Sequence, residues 1–231
     1  MAAQDGDQGA GPADRRDRAG AGWLTRNVAL VALAGLLLGA CAGPPPSRQA
    51  ATRWPSDPAA CRALLATEGV RFTPWAGAPA DGACAVPAPV VVTWTSAAMA
   101  PTLRTSCPML LAWARFEPEM QRLADRRLGS RITEIRHYGS YSCRKMTGNQ
   151  RRMSLHSTGE ALDIAGFTTA DGRQISVADD WPRRSGGASL FLHDLARAAC
   201  RHFNVVLTPN HDRAHRDHIH VDIGPWKLCK A

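Results

Sequence analysis

Two histidine-containing segments in the C-terminal half of the chain carry side chains that commonly bind metal ions. The segment SLHSTGEALDI contains His156 and, seven residues later, Asp163, and the segment HRDHIHVD contains His218 and His220 two residues apart. Two imidazoles and one carboxylate, with a fourth position left to water, form a ligand set typical of catalytic zinc sites. The residue types therefore predict a metal site built from both segments.

The local sequence around these residues indicates how they could meet. If the apolar run after His218 is a β-strand, His218 and His220 point to the same face, because side chains alternate along a strand. Gly159 permits a sharp turn after His156, and the buried run that follows is apolar apart from Asp163. A carboxylate in such a run is costly unless it is paired or bound to a metal. We therefore expect a loop that enters a strand to bring His156 and Asp163 to one centre.

Each motif alone has a simpler explanation. An HxH pair is common on surfaces and in cores, and an aspartate before an apolar residue is often a cap or a salt-bridge partner. The two motifs occur together, however, and four of the eight histidines fall within ten residues, at positions 211, 215, 218 and 220. A solvated charged surface does not explain this clustering, so the combination favours a site.

The pattern SxHxxGxAxDI followed by HxH resembles the zinc peptidases that include D-Ala-D-Ala carboxypeptidases, lysostaphin-type endopeptidases and the hedgehog fold. The closer resemblance is to the extensin-like C-terminal domain of bacterial proteins, and it covers most of residues 59–231. The segments that carry it are GSYSCR at 139–144, HSTGEALDIAGF at 156–167, DW at 180–181 and HRDHIHVD at 215–222.

This resemblance implies a zinc ion bound by His156, Asp163 and His220. Two positions depart from the pattern of the relatives: Leu155 stands where many carry an acid, and Thr208 stands where a glycine is expected. Neither departure removes a ligand, so the implied zinc site is complete.

The relatives also imply catalytic roles for three further side chains. Asp217 lies three residues before His220, where the carboxypeptidases place an acid, and it would act as general base or orient a histidine. A fully extended strand would turn Asp217 away from the pocket, so the role as base requires a bulge or a turn. His218 faces the site more naturally, as oxyanion stabiliser or base. Arg144 would hold a substrate carboxylate or the developing oxyanion, or else form a structural ion pair.

The first 41 residues predict export and lipid attachment. Residues 28–40 form an apolar run of 13 residues after Arg26, which is shorter than the about 20 residues of a membrane-spanning helix and has the size of a signal-peptide core. The run ends in LGAC, which resembles a bacterial lipobox and implies cleavage before Cys41 with lipid on its sulfur. We expect a lipid-anchored, periplasm-facing protein of the bacterial cell envelope; a short membrane anchor with an ordinary cysteine is the alternative.

Six cysteines follow Cys41, and an even number in an exported chain predicts three disulfides. Six cysteines allow 15 connectivities. Pairing neighbours along the chain suggests Cys61–Cys84, Cys107–Cys143 and Cys200–Cys229. The absence of a CxxC pair in the sequence argues against a structural zinc knuckle.

The charge of the chain indicates an anionic partner. Lys and Arg number 28 and Asp and Glu number 20, for a net charge of +8. Peptidoglycan, whose peptide stems carry free carboxylates, and lipid head groups fit this charge. Nucleic acid is not expected, because no groove-reading motif accompanies the charge. Arg151 and Arg152 lie just before the metal motif and could attract an acidic substrate, although a solvated surface is the commoner role of such a pair.

The remaining patterns predict one α+β domain at 59–231 after a proline-containing tether at 42–58. Helical patterns occur at 61–69, 108–129 and 189–201, and strand patterns occur at 86–95, 131–138, 162–167, 175–177, 204–207 and 219–223. Gly172 predicts a hairpin turn. Helices that flank a mainly antiparallel sheet give the α+β class, as in the hedgehog and D-Ala-D-Ala peptidase folds.

Two function classes follow from these observations. The first is a zinc-dependent peptidase that acts on the peptide stems or cross-links of peptidoglycan. The alternative is a non-catalytic peptidoglycan-binding module that retains the fold and its zinc ligands. A hydrolase of another envelope amide or ester is also consistent with the sequence.

Overall fold

Residues 54–55 and 57–231 are described by the computed structural model of the protein. They include the whole of the predicted domain at 59–231. The predicted export segment at 1–41, with Cys41, and most of the tether at 42–58 lie outside the described residues.

Four helices occur in the described part of the chain, and capping residues fix their ends. They are α1 (Pro58–Thr67), α2 (Cys107–Leu128), α3 (Val177–Asp180) and α4 (Gly186–His202). Asp57 caps α1 by accepting a hydrogen bond from the Ala60 amide at 2.6 Å, and Ser106 caps α2 by accepting one from the Met109 amide at 3.3 Å. Gly129 ends α2 in the left-handed conformation that glycine adopts without strain. The three predicted helices are confirmed within a few residues at each end.

Among the residues that the structure describes, nine strands form one sheet and a separate hairpin adds two more. The strands are β1 (Arg71–Pro74), β2 (Pro89–Trp94), β3 (Ala98–Ser106), β4 (Ile132–Gly139), β5 (Lys145–Met146), β6 (Asn149–Met153), β7 (Ala161–Thr169), β8 (Gln174–Ser176), β9 (Val205–Leu207), β10 (Ile219–Asp222) and β11 (Leu228–Lys230). The sheet order is β1-β2-β3-β4-β7-β10-β9-β11, with β8 also paired to β7, and β5 pairs with β6. Only β3–β4 and β9–β11 are parallel. The predicted α+β class with a mainly antiparallel sheet is confirmed.

The helices α2, α3 and α4 pack against strands of the sheet and enclose a core rich in aromatic rings. Phe116 of α2 lies 5.4 Å, centroid to centroid, from Phe203 at the end of α4. Phe167 of β7 contacts Phe191 of α4 edge to face at 5.2 Å, and all four rings are buried. Such edge-to-face pairs add to the stabilisation that burial provides. The core therefore holds β7 in place against α4.

Three disulfides are present, as predicted, but two of the three suggested pairings are wrong. The bonded pairs are Cys61–Cys107, Cys84–Cys143 and Cys200–Cys229, with Cα separations of 6.2, 5.5 and 5.6 Å. The suggested pairs Cys61–Cys84 and Cys107–Cys143 followed proximity in sequence. In the fold, α1 packs against α2, and this contact brings Cys61 to Cys107. Cys84 is left to pair with Cys143.

The hydropathy of the helices bears on membrane insertion. Among the residues that the structure describes, no helix has both the length and the apolar composition needed to cross a bilayer.

Candidate metal centre

The pairing of β7 with β10 positions two of the predicted ligands. His220 lies directly opposite Asp163 in the antiparallel register, and directly opposed residues share one face of a sheet. Nδ1 of His220 lies 2.8 Å from Oδ1 of Asp163. The register of two short strands therefore sets this contact.

A bulge in β7 lets one strand serve both the core and the site. His137 of β4 is paired with Ile164, whereas Arg136 is paired with Gly166, so Ala165 is an extra residue in β7. The extra residue reverses the alternation of side chains along a strand. Ile164 and, beyond the bulge, Phe167 can both face the core, while the neighbouring Asp163 faces the opposite side. Phe167 and Ile164 are accordingly buried.

A short 3₁₀ turn at Leu155–Thr158 presents His156. The turn ends at Gly159, whose φ of +65° lies in the left-handed region and whose amide donates to the His156 carbonyl. The Gly159 carbonyl in turn accepts the Ser106 amide at 3.0 Å. These backbone bonds fasten the turn to the start of α2.

The side chain of His156 reaches both other predicted ligands. Its Nε2 lies 3.2 Å from Oδ2 of Asp163 and 3.3 Å from Nδ1 of His220. One ligand atom from each of the three residues lies within 4.8 Å of the others. The structure thus brings together His156, Asp163 and His220 in an arrangement that could hold a metal ion.

The outer nitrogens of both imidazoles are also hydrogen-bonded. Nδ1 of His156 lies 2.9 Å from the Ser140 carbonyl, which can only accept, so this nitrogen carries the proton. Nε2 of His220 lies 3.2 Å from Oδ2 of Asp222. Partners of this kind fix the orientation of a metal-binding imidazole and raise its basicity. Nε2 of His156 and Nδ1 of His220 are thereby directed at Asp163.

The pKa values of Asp163 and His220 are strongly perturbed. Burial alone would lower the pKa of His220, but its hydrogen bonds to Asp163 and Asp222 outweigh burial and raise the pKa to about 9. Burial alone would raise the pKa of Asp163, but hydrogen bonds from His156 and His220 hold it far below the usual range. Asp163 is therefore ionised at neutral pH. A cation that binds at this point must displace a proton from His220.

His218 and Asp217 lie beside this cluster as a bonded pair. Nε2 of His218 is 3.6 Å from Oδ1 of Asp163, and its Nδ1 is 3.0 Å from Oδ1 of Asp217. Asp217 precedes the first residue of β10, Ile219, and so lies in the turn that a role near the site requires. Its hydrogen bond with His218 lowers the pKa of Asp217. Asp217 thus contacts Nδ1 of His218, whereas Nε2 of the same ring is the nitrogen next to the cluster.

Arg144 lies at the edge of the same cleft. Its carbonyl accepts the Ser154 amide at 3.1 Å, which joins this segment to the start of the His156 turn. Its guanidinium makes only long hydrogen bonds, to the Lys145 carbonyl at 3.4 Å and to Oγ1 of Thr147 at 3.5 Å. Within the described part of the chain Arg144 forms no ion pair, so its charge is available to a ligand.

An open cleft of about 560 Å³ is lined by the three predicted metal ligands, His218 and Arg144, but not by Asp217. Its lining combines the cluster and His218 with Arg144 and with a second wall that includes Arg152, Leu155 and Trp226. A cleft of this volume can hold several residues of a peptide or a small molecule of similar size. The arrangement is that of a binding site open to solvent beside a candidate metal centre.

Comparison with known families identifies the domain. The family model described as "Extensin-like protein C-terminus" matches residues 59–230. The chain belongs to the extensin-like C-terminal family. Neither the comparison with curated proteins nor that with solved structures found a match to this extensin-like chain.

The structure of this extensin-like domain adds residues that the sequence interpretation missed. Asp222, which bonds His220, lies two residues after it on β10 and therefore on the same face; the same spacing argument that joined His218 to His220 could have found it. The Ser140 carbonyl is a backbone group, and no sequence pattern indicates its place. His215 lines the cleft with its ring 5.1 Å from that of His218, and Asp212 holds its Nδ1 at 2.7 Å.

Proposed function

We propose that this extensin-like protein is a zinc-dependent peptidase that acts on the peptide stems or cross-links of peptidoglycan at the bacterial cell envelope. The observation that carries the proposal is the convergence of His156, Asp163 and His220 inside an open cleft. Peptide hydrolysis requires an activated water and room for an extended chain, and the cleft offers space for both.

The donor set supports zinc as the metal. Two imidazole nitrogens and one carboxylate oxygen leave a fourth tetrahedral position open, as in catalytic zinc sites. Donor atoms about 2.0–2.2 Å from a tetrahedral ion lie roughly 3.4 Å apart. Here the two imidazole nitrogens are 3.3 Å apart, and each lies close to one oxygen of Asp163, Nε2 of His156 at 3.2 Å from Oδ2 and Nδ1 of His220 at 2.8 Å from Oδ1. A zinc ion in this position would lower the pKa of its bound water towards neutrality and polarise a substrate carbonyl.

The pair of His218 and Asp217 supplies a proton acceptor in this proposal. Asp217 accepts the proton of Nδ1, so the lone pair of His218 Nε2 is free beside Asp163. A carboxylate that holds one imidazole nitrogen orients the ring and stabilises its protonated form. We therefore assign proton transfer to Nε2 of His218 and orientation of the ring to Asp217.

Arg144 supports binding of an acidic group near the reacting carbonyl. A guanidinium can hold a carboxylate through two parallel hydrogen bonds or stabilise a developing oxyanion. Its carbonyl is joined to the segment that presents His156, and Cys143 beside it is bonded to Cys84. The backbone at Arg144 is thereby fixed relative to the metal ligands.

The envelope location is part of the proposal. Three disulfides support an oxidising compartment, and the LGAC string supports a lipid on Cys41. We propose that the lipid holds the protein at a bacterial membrane with the domain facing the periplasm. The net charge of +8 supports peptidoglycan, with its free carboxylates, as the partner.

One observation favours a second candidate, a binding module without catalysis. His220 is hydrogen-bonded to carboxylates on both sides, at 2.8 Å to Asp163 and at 3.2 Å to Asp222. Such a network satisfies its buried polar groups by itself and could serve to stabilise the fold. A module of this kind would bind sacculi without releasing peptide.

Digestion of purified sacculi separates the two candidates. Full-length protein purified in detergent and loaded with zinc should release new peptide ends, detected by chromatography of the stem peptides. A chelator should abolish the release and added zinc should restore it. Binding to sacculi without any change across a panel of muropeptides would replace the peptidase by the binding module.

A further inference from the structure

The cleft has a wall that the proposed mechanism does not use. Arg152 of β6 lies with its guanidinium carbon 4.6 Å from the centroid of the Trp226 ring, a cation–π distance. Both side chains line the cleft that contains the candidate metal ligands. Trp226 is 58% exposed, although burial would stabilise so large an apolar ring. This pair presents a cation and an aromatic ring to whatever the cleft holds.

The charge of Arg152 is available for a ligand. In the region that the structure describes, Arg152 forms no ion pair. The acidic side chains that line the cleft, Asp163 and Asp222, are both bonded to His220. The charge of Arg152 is thus not neutralised by an acidic side chain of the cleft, and it favours an anionic ligand.

The cation–π contact between Arg152 and Trp226 suits one kind of anion. A guanidinium that stacks on an aromatic ring keeps its in-plane N–H groups free, and two of them match the oxygens of a carboxylate. The ring also limits the rotation of a long, flexible side chain, so less conformational entropy is lost when the anion binds. Trp226 therefore orients the binding edge of Arg152.

The loop that carries Trp226 is fixed relative to the metal centre. Gly224 lies against the side chain of Leu155 in the His156 turn, and a Cβ at Gly224 would collide with Cδ1 of Leu155 unless that side chain moved. The Gly224 amide donates to Oδ1 of Asp222 at 3.0 Å, and its carbonyl accepts Nδ2 of Asn204 at 2.6 Å. The Trp226 loop is thus tied to residues that hold both imidazoles of the cluster.

We propose that Arg152, oriented by Trp226, binds a carboxylate of the peptide substrate away from the bond that is cleaved. The proposal rests on the proposed function and names its substrate class: peptides that carry a free carboxylate a short distance from the scissile amide. The carboxylate can belong to an acidic side chain or to the C-terminus of the peptide. Arg152 is then a specificity-determining residue that contributes to binding and takes no part in the chemistry.

Three versions of one N-acetylated peptide test this proposal. One has a free side-chain carboxylate, one has a free C-terminal carboxylate, and one has both groups as amides. Affinity is measured by calorimetry on full-length protein treated with a chelator, so that hydrolysis cannot interfere. KM and kcat are then measured on the zinc-loaded protein. Wild type should bind at least one carboxylate peptide about tenfold more tightly than the amide, the effect of one charged hydrogen-bonded pair.

Two adjacent arginines provide the matched variants. Arg152→Gln should abolish the preference for a carboxylate and raise KM about tenfold with kcat unchanged, because the interaction is the same in ground and transition states. Arg151→Gln should retain the preference, since the neighbouring side chain on β6 points to the other face and does not line the cleft. Equal effects of the two substitutions, or equal binding of all three peptides by wild type, would overturn the proposal.

The outcomes also distinguish this proposal from the peptidase proposal. Carboxylate-selective binding that depends on Arg152, in a protein that hydrolyses none of the peptides, supports the role of Arg152 and defeats the peptidase. Hydrolysis of all three peptides at equal KM retains the peptidase and overturns the role of Arg152.

Discussion

The hydrogen bond between Asp217 and His218 determines which side chain can act as a base. Nδ1 of His218 lies 3.0 Å from Asp217 and Nε2 lies 3.6 Å from Asp163, so the imidazole stands between the two carboxylates. A proton on Nδ1 leaves Nε2 as the acceptor next to the cluster. At the scale of single residues, the proposed hydrolysis therefore depends on the tautomer of the His218 ring.

Asp217→Asn should leave zinc in place and reduce kcat by about 10²–10⁴, the usual range for loss of general-base catalysis, because His218 loses the carboxylate that orients it as the base. The amide can donate to Nδ1 and so stabilise the wrong tautomer of His218. Zinc content and steady-state hydrolysis measure the two effects separately. Because the residues act as a unit, the double substitution with His218→Gln should cost little more than either change alone. Full activity of Asp217→Asn would contradict the orienting role assigned to Asp217.

The turn at Leu155–Thr158 sets the position of His156. It precedes β7 in the chain and is hydrogen-bonded through Gly159 to Ser106 at the start of α2. Gly159 ends it with a φ of +65°, and a Cβ at this position would lie 3.0 Å from the Ser106 amide nitrogen. The other two predicted ligands, Asp163 and His220, are positioned by the register of β7 with β10. The metal centre thus depends on how closely one turn approaches α2.

Gly159→Ala and Gly129→Ala form a matched pair, because Gly129 has a φ of +64° with open space around its missing side chain. Each substitution should lower the free energy of unfolding by about 1–2 kcal/mol through left-handed strain. Only Gly159→Ala should also weaken zinc binding, since the tight contact with Ser106 displaces the His156 turn. Thermal unfolding and zinc titration measure the two effects. Equal zinc affinity in both variants would contradict the role given to the turn.

The sequence predicted the elements that have strong local patterns. The apolar runs predict β7 and β10, and the paired histidine motifs predict that His156, Asp163 and His220 meet; the pairing of the two strands is not predicted. The strand β3 was not predicted, because AMAPTLRTS contains a proline and polar residues, and its pairing with β2 and β4 depends on distant parts of the chain. The β5–β6 hairpin lies on the surface and has no apolar alternation.

Pairings that arise only in the folded chain could not be predicted. Cys61 meets Cys107 across the α1–α2 contact, which no local pattern encodes. The hydrogen bond between His156 and the Ser140 carbonyl likewise has no local pattern that would predict it. The bulge at Ala165 likewise follows from the pairing of β7 with β4.

The whole molecule combines a disulfide-bonded domain with a predicted export segment and a predicted lipid attachment at Cys41. The Cys61–Cys107 and Cys84–Cys143 bonds join cysteines that are 46 and 59 residues apart in the sequence. Crosslinks of this kind stabilise mainly by restricting the unfolded chain. An enzyme anchored through Cys41 would be held close to the membrane while its cleft stays accessible to the cell wall.

Cys41→Ala should abolish incorporation of a labelled fatty acid and leave the apolar segment uncleaved, because the sulfur is the attachment point that the LGAC string implies. Metabolic labelling followed by gel electrophoresis measures both effects. Cys229→Ala, a change outside the export segment, is the control and should keep the label. Equal labelling of wild type and Cys41→Ala would refute the lipid attachment.

Coordination of zinc by His156, Asp163 and His220 is the central claim, and metal analysis combined with X-ray absorption of the zinc-loaded protein tests it most directly. Wild type should hold one zinc per chain with two imidazole nitrogens and oxygen ligands at about 2.0–2.2 Å. His156→Ala should lose the metal, whereas His193→Ala, which removes an imidazole outside the cleft, should retain it. Sulfur ligands, no bound zinc, or an unchanged spectrum in His156→Ala would contradict the account.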